Sequence, residues 1–183
     1  LPGLGIVAAL CVMLAPQQAS AQLDAMAAML QRRSVRVFDA NAKVSDTQLN
    51  KVIQAGWNTR TLDGSQPFEF ITIRDKSKLA ELAGATKFAK WLTKAPAAIA
   101  VVVRTDESPR MFKENGSLAV LNMYYKAQEL GLGTVYQGTA NRTAMKKMLG
   151  IGKNRHLLSV IPVGVPKAKA PKSPTRAGLE QTV

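Results

Sequence analysis

The chain has 183 residues, 46% of them apolar, and its 25 Lys and Arg outnumber 12 Asp and Glu to give a formal charge of +13. A single cysteine, Cys11, and a single histidine, His156, exclude a disulfide within the chain and a zinc site built on thiolates or imidazoles. The positive field draws anions without fixing a fold, yet the charges are scattered and aromatics make up only 5%, so nucleic acid is not an expected partner.

Residues 1–21 read as a signal peptide. Gly3 to Ala15 is an apolar run, followed by Pro16, Gln17, Gln18 and the small-x-small sequence Ala19-Ser20-Ala21. No Lys or Arg precedes Gly3. The run is shorter than the roughly twenty residues of a membrane span, so cleavage near Ala21–Gln22 is expected and a stable membrane anchor is not. The protein is then exported, periplasmic or secreted. Cys11 leaves with the leader, so residues 22–183 form a single domain without a thiol.

From Gln22, the spacing of Leu23, Met26, Ala27 and Leu30 predicts a short amphipathic helix to about Gln31. Ser45 with Gln48 reads as a capping box opening a helix with the face Leu49, Val52, Ile53 and Trp57. Residues 58–67 are a loop, and the alternation Phe68-Glu69-Phe70-Ile71-Thr72-Ile73 is a strand. A helix follows from about Lys76 to Ala83, then a buried strand from Pro96 to Val103. Lys113 to Leu130 is the longest helix, apolar on most of its faces, and is expected to be buried centrally or against a second subunit. Gly131-Leu132-Gly133 caps it. A brief strand at Thr134–Gln137, a helix at Arg142–Leu149 and a strand at His156–Val163 complete the order. Residues 165–183, with Pro166, Pro171 and Pro174, form an extended C-terminal arm. The sum is an α+β layer protein with one sheet of about four strands.

The densest chemistry is Arg32-Arg33-Ser34-Val35-Arg36, three guanidiniums and a hydroxyl at a helix-to-coil junction. Such planar donors match phosphate oxygens in pairs, although a basic surface turn would look the same. His156 could serve one acid-base step, but its place at the head of an apolar run favours a structural role. No further acid, base or nucleophile stands out.

Five segments in order resemble the nitroreductase-like, FMN-dependent oxidoreductases. They are Arg32-Arg33-Ser34-Val35-Arg36-Val37-Phe38, then Ser65-Gln66-Pro67-Phe68-Glu69-Phe70 and Lys94-Ala95-Pro96-Ala97-Ala98-Ile99. The fourth is Asn122-Met123 with Leu130-Gly131-Leu132-Gly133-Thr134 and Gln137-Gly138, and the fifth is Ile161-Pro162-Val163-Gly164-Val165-Pro166 with Arg176 beyond it. The resemblance implies a three-layer α/β/α fold with a central, mainly antiparallel or mixed sheet, in a homodimer with an extended C-terminal arm. It implies that Arg32, Arg33, Ser34 and Arg36 hold the FMN phosphate and ribityl chain, with Arg176 closing on the phosphate. Gly64, Ser65 and Gln66 would flank the isoalloxazine with Gln137 and Gly138. NADH or NADPH would then give hydride to flavin N5, and a nitroaromatic, quinone or similar small-molecule electron acceptor would take it. The absence of an obvious catalytic side chain fits a reaction carried by the cofactor.

The match departs in four places. Thr59-Arg60-Thr61 replaces the family's Ala-Pro-Ser, and Gly64 stands where an asparagine would hydrogen-bond the flavin. Phe68 replaces a tryptophan, and the short stretch from Arg104 to Lys113 leaves little to cover the site. Two alternatives follow: an exported flavin-binding protein of this fold without nicotinamide turnover, or a basic binding module for an anionic polymer or membrane surface.

Overall fold

The computed structural model describes residues 25–86, 89–138 and 142–168. The leader 1–21, Arg176 and the rest of the arm beyond residue 168 lie outside the described residues. The elements run α1 (Ala25–Gln31), α2 (Asp46–Trp57), β1 (Phe68–Ile73), α3 (Lys76–Gly84), a 3-10 turn (Lys90–Lys94), β2 (Ala97–Arg104), α4 (Phe112–Glu129), β3 (Gly133–Thr134), α5 (Arg142–Met148) and β4 (Arg155–Gly164). Local chemistry sets the helix starts. The Ser45 hydroxyl accepts from the Gln48 amide while the Gln48 side chain accepts from the Ser45 amide, closing the predicted capping box on α2. Asp75 accepts from the Lys78 amide at 2.7 Å and starts α3.

The four strands pair in the order β1-β2-β4-β3, all antiparallel. β2 lies inside the sheet and is buried from Ala97 to Val103, which is why it reads as an unbroken apolar run instead of an alternating one. Ala97, Ile99 and Val101 pack with α2 and α4 on one face. Ala98, Ala100 and Val102 pack with α3, the 3-10 turn and Met145 of α5 on the other. The result is the expected α/β/α sandwich. Between Val101 and Val102 the register against β4 shifts, so that Ser159 and Leu157 are consecutive partners and Leu158 is the extra residue. This bulge sends Leu158 to the α4 face and Leu157 to the α3 face.

Three expectations are revised. β3 is only Gly133–Thr134, because the chain leaves β4 after Thr134 and touches it again at a single bridge, Gly138 to Ser159. Helix α4 is buried along one stripe through Asn115, Ala119, Val120, Met123, Tyr124 and Ala127, while Leu118 and Leu121 are each 38% exposed. Trp57, read as part of the inward face of α2, is half exposed. Apolar counts along a helix do not give its azimuth, and these side chains point away from the sheet.

Candidate functional site

The basic segment is an added edge strand. After α1 the chain extends so that Ser34 pairs in parallel with Thr134, and the Val35 amide donates to the Thr134 carbonyl at 2.9 Å. Farther on, Phe38 pairs with Pro166 and the Asp39 amide donates to the Val165 carbonyl at 2.8 Å. Val35 and Phe38 turn inward onto Ala95, while Arg36 and Val37 face out. The seats for this strand are glycines. A Cβ on Gly133 would stand 2.7 Å from three Val35 side-chain carbons, and one on Gly164 would stand 2.7 Å from Phe38 and Pro96. The glycines noted in the sequence at these positions therefore set how closely the guanidinium-bearing strand lies on the sheet.

The guanidiniums have different surroundings. Arg33 donates through Nη1 to the carbonyls of Leu30, at 2.7 Å, and Arg32, so that nitrogen is committed to the end of α1. The Arg32 guanidinium lies 5.5 Å from the ring centre of Tyr124 on α4, and that of Arg36 lies 5.5 Å from the ring centre of Trp91 in the 3-10 turn. These rings belong to elements on opposite faces of the sheet, so the two guanidiniums straddle its edge. Burial pushes the Tyr124 phenol far up, which keeps the ring neutral beneath Arg32.

Gln137 and Gly138 follow Thr134 along the chain after Val135 and Tyr136. The Gln137 amide donates to the Ser159 hydroxyl, which donates back to the Gln137 carbonyl at 3.0 Å. The backbone is thus pinned to β4, but the side chain is not satisfied. Gln137 is 1% exposed, and neither its Oε1 nor its Nε2 has a hydrogen-bond partner among the described residues. Gly138 is exposed.

The loop carrying Gly64, Ser65 and Gln66 is built from groups the sequence reading did not single out. Asn115, fully buried on α4, donates to Asp63 and Ser108 and accepts from the Leu62 amide at 2.9 Å. The Ser108 hydroxyl donates to Asp63 Oδ2, and the Ser65 hydroxyl donates to Asp63 Oδ1 at 2.6 Å. These bonds, Ser108 first and then Ser65, hold the Asp63 carboxyl well below the usual carboxylate range. The short connection after β2 is thereby pinned to the loop. Asn122 donates to the Thr59 hydroxyl at 2.8 Å and fixes the loop's start. Gly64 has φ +72°, a left-handed conformation, and nothing lies within 4 Å of where its Cβ would be. An asparagine, which tolerates that region, would fit there. The one sequence sign of this network was a polar residue, Asn115, inside a long and largely apolar helix.

One chain does not bring all the candidate residues together. Arg104, whose amide donates to the Pro67 carbonyl, pairs with Arg155 at the start of β4, whereas Thr134 pairs with Val163 near its end. At a strand rise of about 3.3 Å per residue, the loop and the basic strand sit at ends of the sheet roughly 26 Å apart. His156, next to Arg155, lies at the loop's end of the sheet and far from the basic strand. It packs against Phe112 with ring centres 4.8 Å apart, and burial, reinforced by Arg142, Lys113 and Lys146, pushes it down to about 4. Among the described residues, no cluster of His, Cys, Asp and Glu could hold a metal, and no helix is long and apolar enough to cross a membrane.

Comparison with known proteins agrees with this architecture. The profile of the Nitroreductase family matches residues 29–90 and 83–165. The chain is 32% identical over 143 residues to a candidate NADH dehydrogenase/NAD(P)H nitroreductase of Archaeoglobus fulgidus, covering 74% of this chain and 82% of the relative. A crystal structure bearing the same description from Parabacteroides distasonis is 28% identical, with a TM-score of 0.80 over 87% of this chain and 95% of that one. A candidate nitroreductase of Desulfovibrio desulfuricans, solved in complex with FMN, has a TM-score of 0.80 at 24% identity over 87% and 95% of the two chains.

Proposed function

The chain belongs to the nitroreductase family, and from that premise we propose that it is an FMN-dependent oxidoreductase that passes hydride from NADH or NADPH to a nitroaromatic, quinone or similar small acceptor. The observation that carries this is the pairing of the arginine strand with the strand that leads into Gln137 and Gly138. The names of the relatives support a nicotinamide donor, and the FMN bound by the Desulfovibrio protein supports the cofactor.

The residues fit the group. Gln137 holds a buried carboxamide with both ends unpaired, the kind of group a polar ring edge would satisfy. Gly138 beside it is exposed and carries no side chain to block a close approach. Ser34 stands on the same edge strand as Arg32 and Arg36, whose charges would offset a phosphate. Bound FMN would supply the two-electron chemistry. The protein's own part is to hold an anion at the strand, present amide donors and leave an open face, so no catalytic acid or base is required.

The separation of the loop from the strand supports a homodimer in which Gly64, Ser65 and Gln66 of one copy complete the site on Arg32, Ser34, Arg36, Gln137 and Gly138 of another. The exposed Leu118, Leu121 and Trp57 offer apolar surface for such a contact. Arg176 is retained as a phosphate ligand in this proposal, and residues 1–21 as a leader removed before Gln22 on export.

The test is the colour and redox response of the purified protein. It is expected to bind FMN, and anaerobic NADH or NADPH is expected to bleach the flavin band. Failure to bind FMN would sink the proposal. Binding without bleaching would leave a flavin-binding protein with no nicotinamide turnover.

A further inference from the structure

Where β1 ends and β2 begins, a cleft of about 610 Å³ opens between the coil that follows Phe38, the β1–α3 turn and the end of the 3-10 turn. It is not lined by Ser34, Thr134 or Gln137, and among the described residues no carboxylate lines it. Its cations are Lys43, Arg74, Lys76, Lys94 and Lys167. Arg74 is already compensated, by Asp46 at 2.7 Å and the Val44 carbonyl at 2.9 Å. The four lysines form no ion pair among the described residues. Below them the wall is apolar, with Phe38, Val44 and Ala95 buried.

Like charges around one concavity focus a positive potential that an anion would relieve. The volume lies within the range of small-molecule sites. The four lysines come from four separate stretches of chain and together carry more positive charge than one phosphate group, at about −1.5 to −2, would offset. We propose that this cleft is a second anion site, distinct from the flavin site, for a small molecule that carries a diphosphate on a partly apolar body. Lysines suit that role as adjustable point charges, and the apolar wall suits the body.

The test uses the full chain as purified, with whatever flavin it carries, and inorganic pyrophosphate as the probe, titrated calorimetrically at about 0.15 M salt, where the Debye length is about 8 Å. Wild-type protein is expected to bind it without releasing flavin. The triple variant Lys43→Ser, Lys76→Ser, Lys94→Ser is expected to raise Kd by about tenfold or more. A control of equal charge, Lys51→Ser, Lys147→Ser, Lys153→Ser at exposed positions elsewhere, should stay within about twofold, since distant surface charges are screened. ADP should bind more tightly than pyrophosphate. The proposal is overturned if wild type binds no pyrophosphate, if cleft and control variants lose affinity alike, or if binding expels flavin and ignores the cleft lysines. Lysine acetylation of the wild type gives a second readout that needs no variant: pyrophosphate should slow labelling of Lys43 and Lys94 but not of Lys51, and equal labelling would overturn the site.

Discussion

A buried polar atom without a partner costs about 1–3 kcal/mol, and Gln137 leaves both ends of its carboxamide in that condition. Such a cost persists where the group serves something other than stability. Replacing it by an apolar side chain of similar length, Gln137→Met, should therefore stabilise the flavin-free protein by about 1 kcal/mol while weakening FMN binding. Paired thermal melts and flavin titrations check this, and a lower Tm for the flavin-free variant would show that the amide is already satisfied. His156 makes an opposite kind of statement. Its folded value of about 4 lies below its ordinary 6.5, so between those values the unfolded chain binds more protons than the native one. The stabilising contribution is complete above about pH 6.5 and is lost as pH falls toward 4. His156→Gln should flatten that part of the curve of Tm against pH without altering FMN affinity. An unchanged acid slope would mean that His156 is not the group titrating.

At the scale of elements, the glycine seats decide how the arginines are presented. Gly133→Ala would place a methyl 2.7 Å from Val35, an overpacking that typically costs about 1–3 kcal/mol. It should push the edge strand away and weaken FMN binding, whereas Gly152→Ala, with nothing within 4 Å, should do neither. Equal flavin affinity in the two variants would show that strand seating is irrelevant to the cofactor. Much of this layout was legible beforehand. The Ser45 and Gln48 pair, the alternation of Phe68–Ile73 and the apolar run into Val103 each carry their own local signal, and each became the expected element. The edge strand was not read as one, because its pairing is with Thr134, a hundred residues away along the chain. Beyond the polar Asn115 in α4, the Asp63, Ser108 and Asn115 network was hidden for the same reason, since Ser108 and Asn115 lie 45 and 52 positions from Asp63 and meet it only in the fold. Arginine content located the candidate phosphate end. It could not reveal that the Arg32 and Arg36 guanidiniums rest on rings from opposite faces.

For the whole molecule, the separation of loop from strand gives the homodimer a consequence that chain size alone does not test. Suppose one copy carries Arg32→Ala with Arg36→Ala, and another carries Gly64→Glu, whose side chain enters open space but whose charge repels an anionic cofactor. Each variant alone should form dimers with two crippled sites. In the mixed dimer of a two-fold assembly, one site combines both lesions and the other combines the intact strand of the second copy with the intact loop of the first. Random mixing should then restore about a quarter of the wild-type flavin content, because half the dimers are mixed and each regains one site of two. A site built within a single chain would regain nothing on mixing. Absorbance of the mixed and unmixed proteins after excess FMN is removed separates the two cases. Flavin recovery on mixing requires the loop and strand to come from different chains; no recovery, with both variants still dimeric by light scattering, would place the entire site within one.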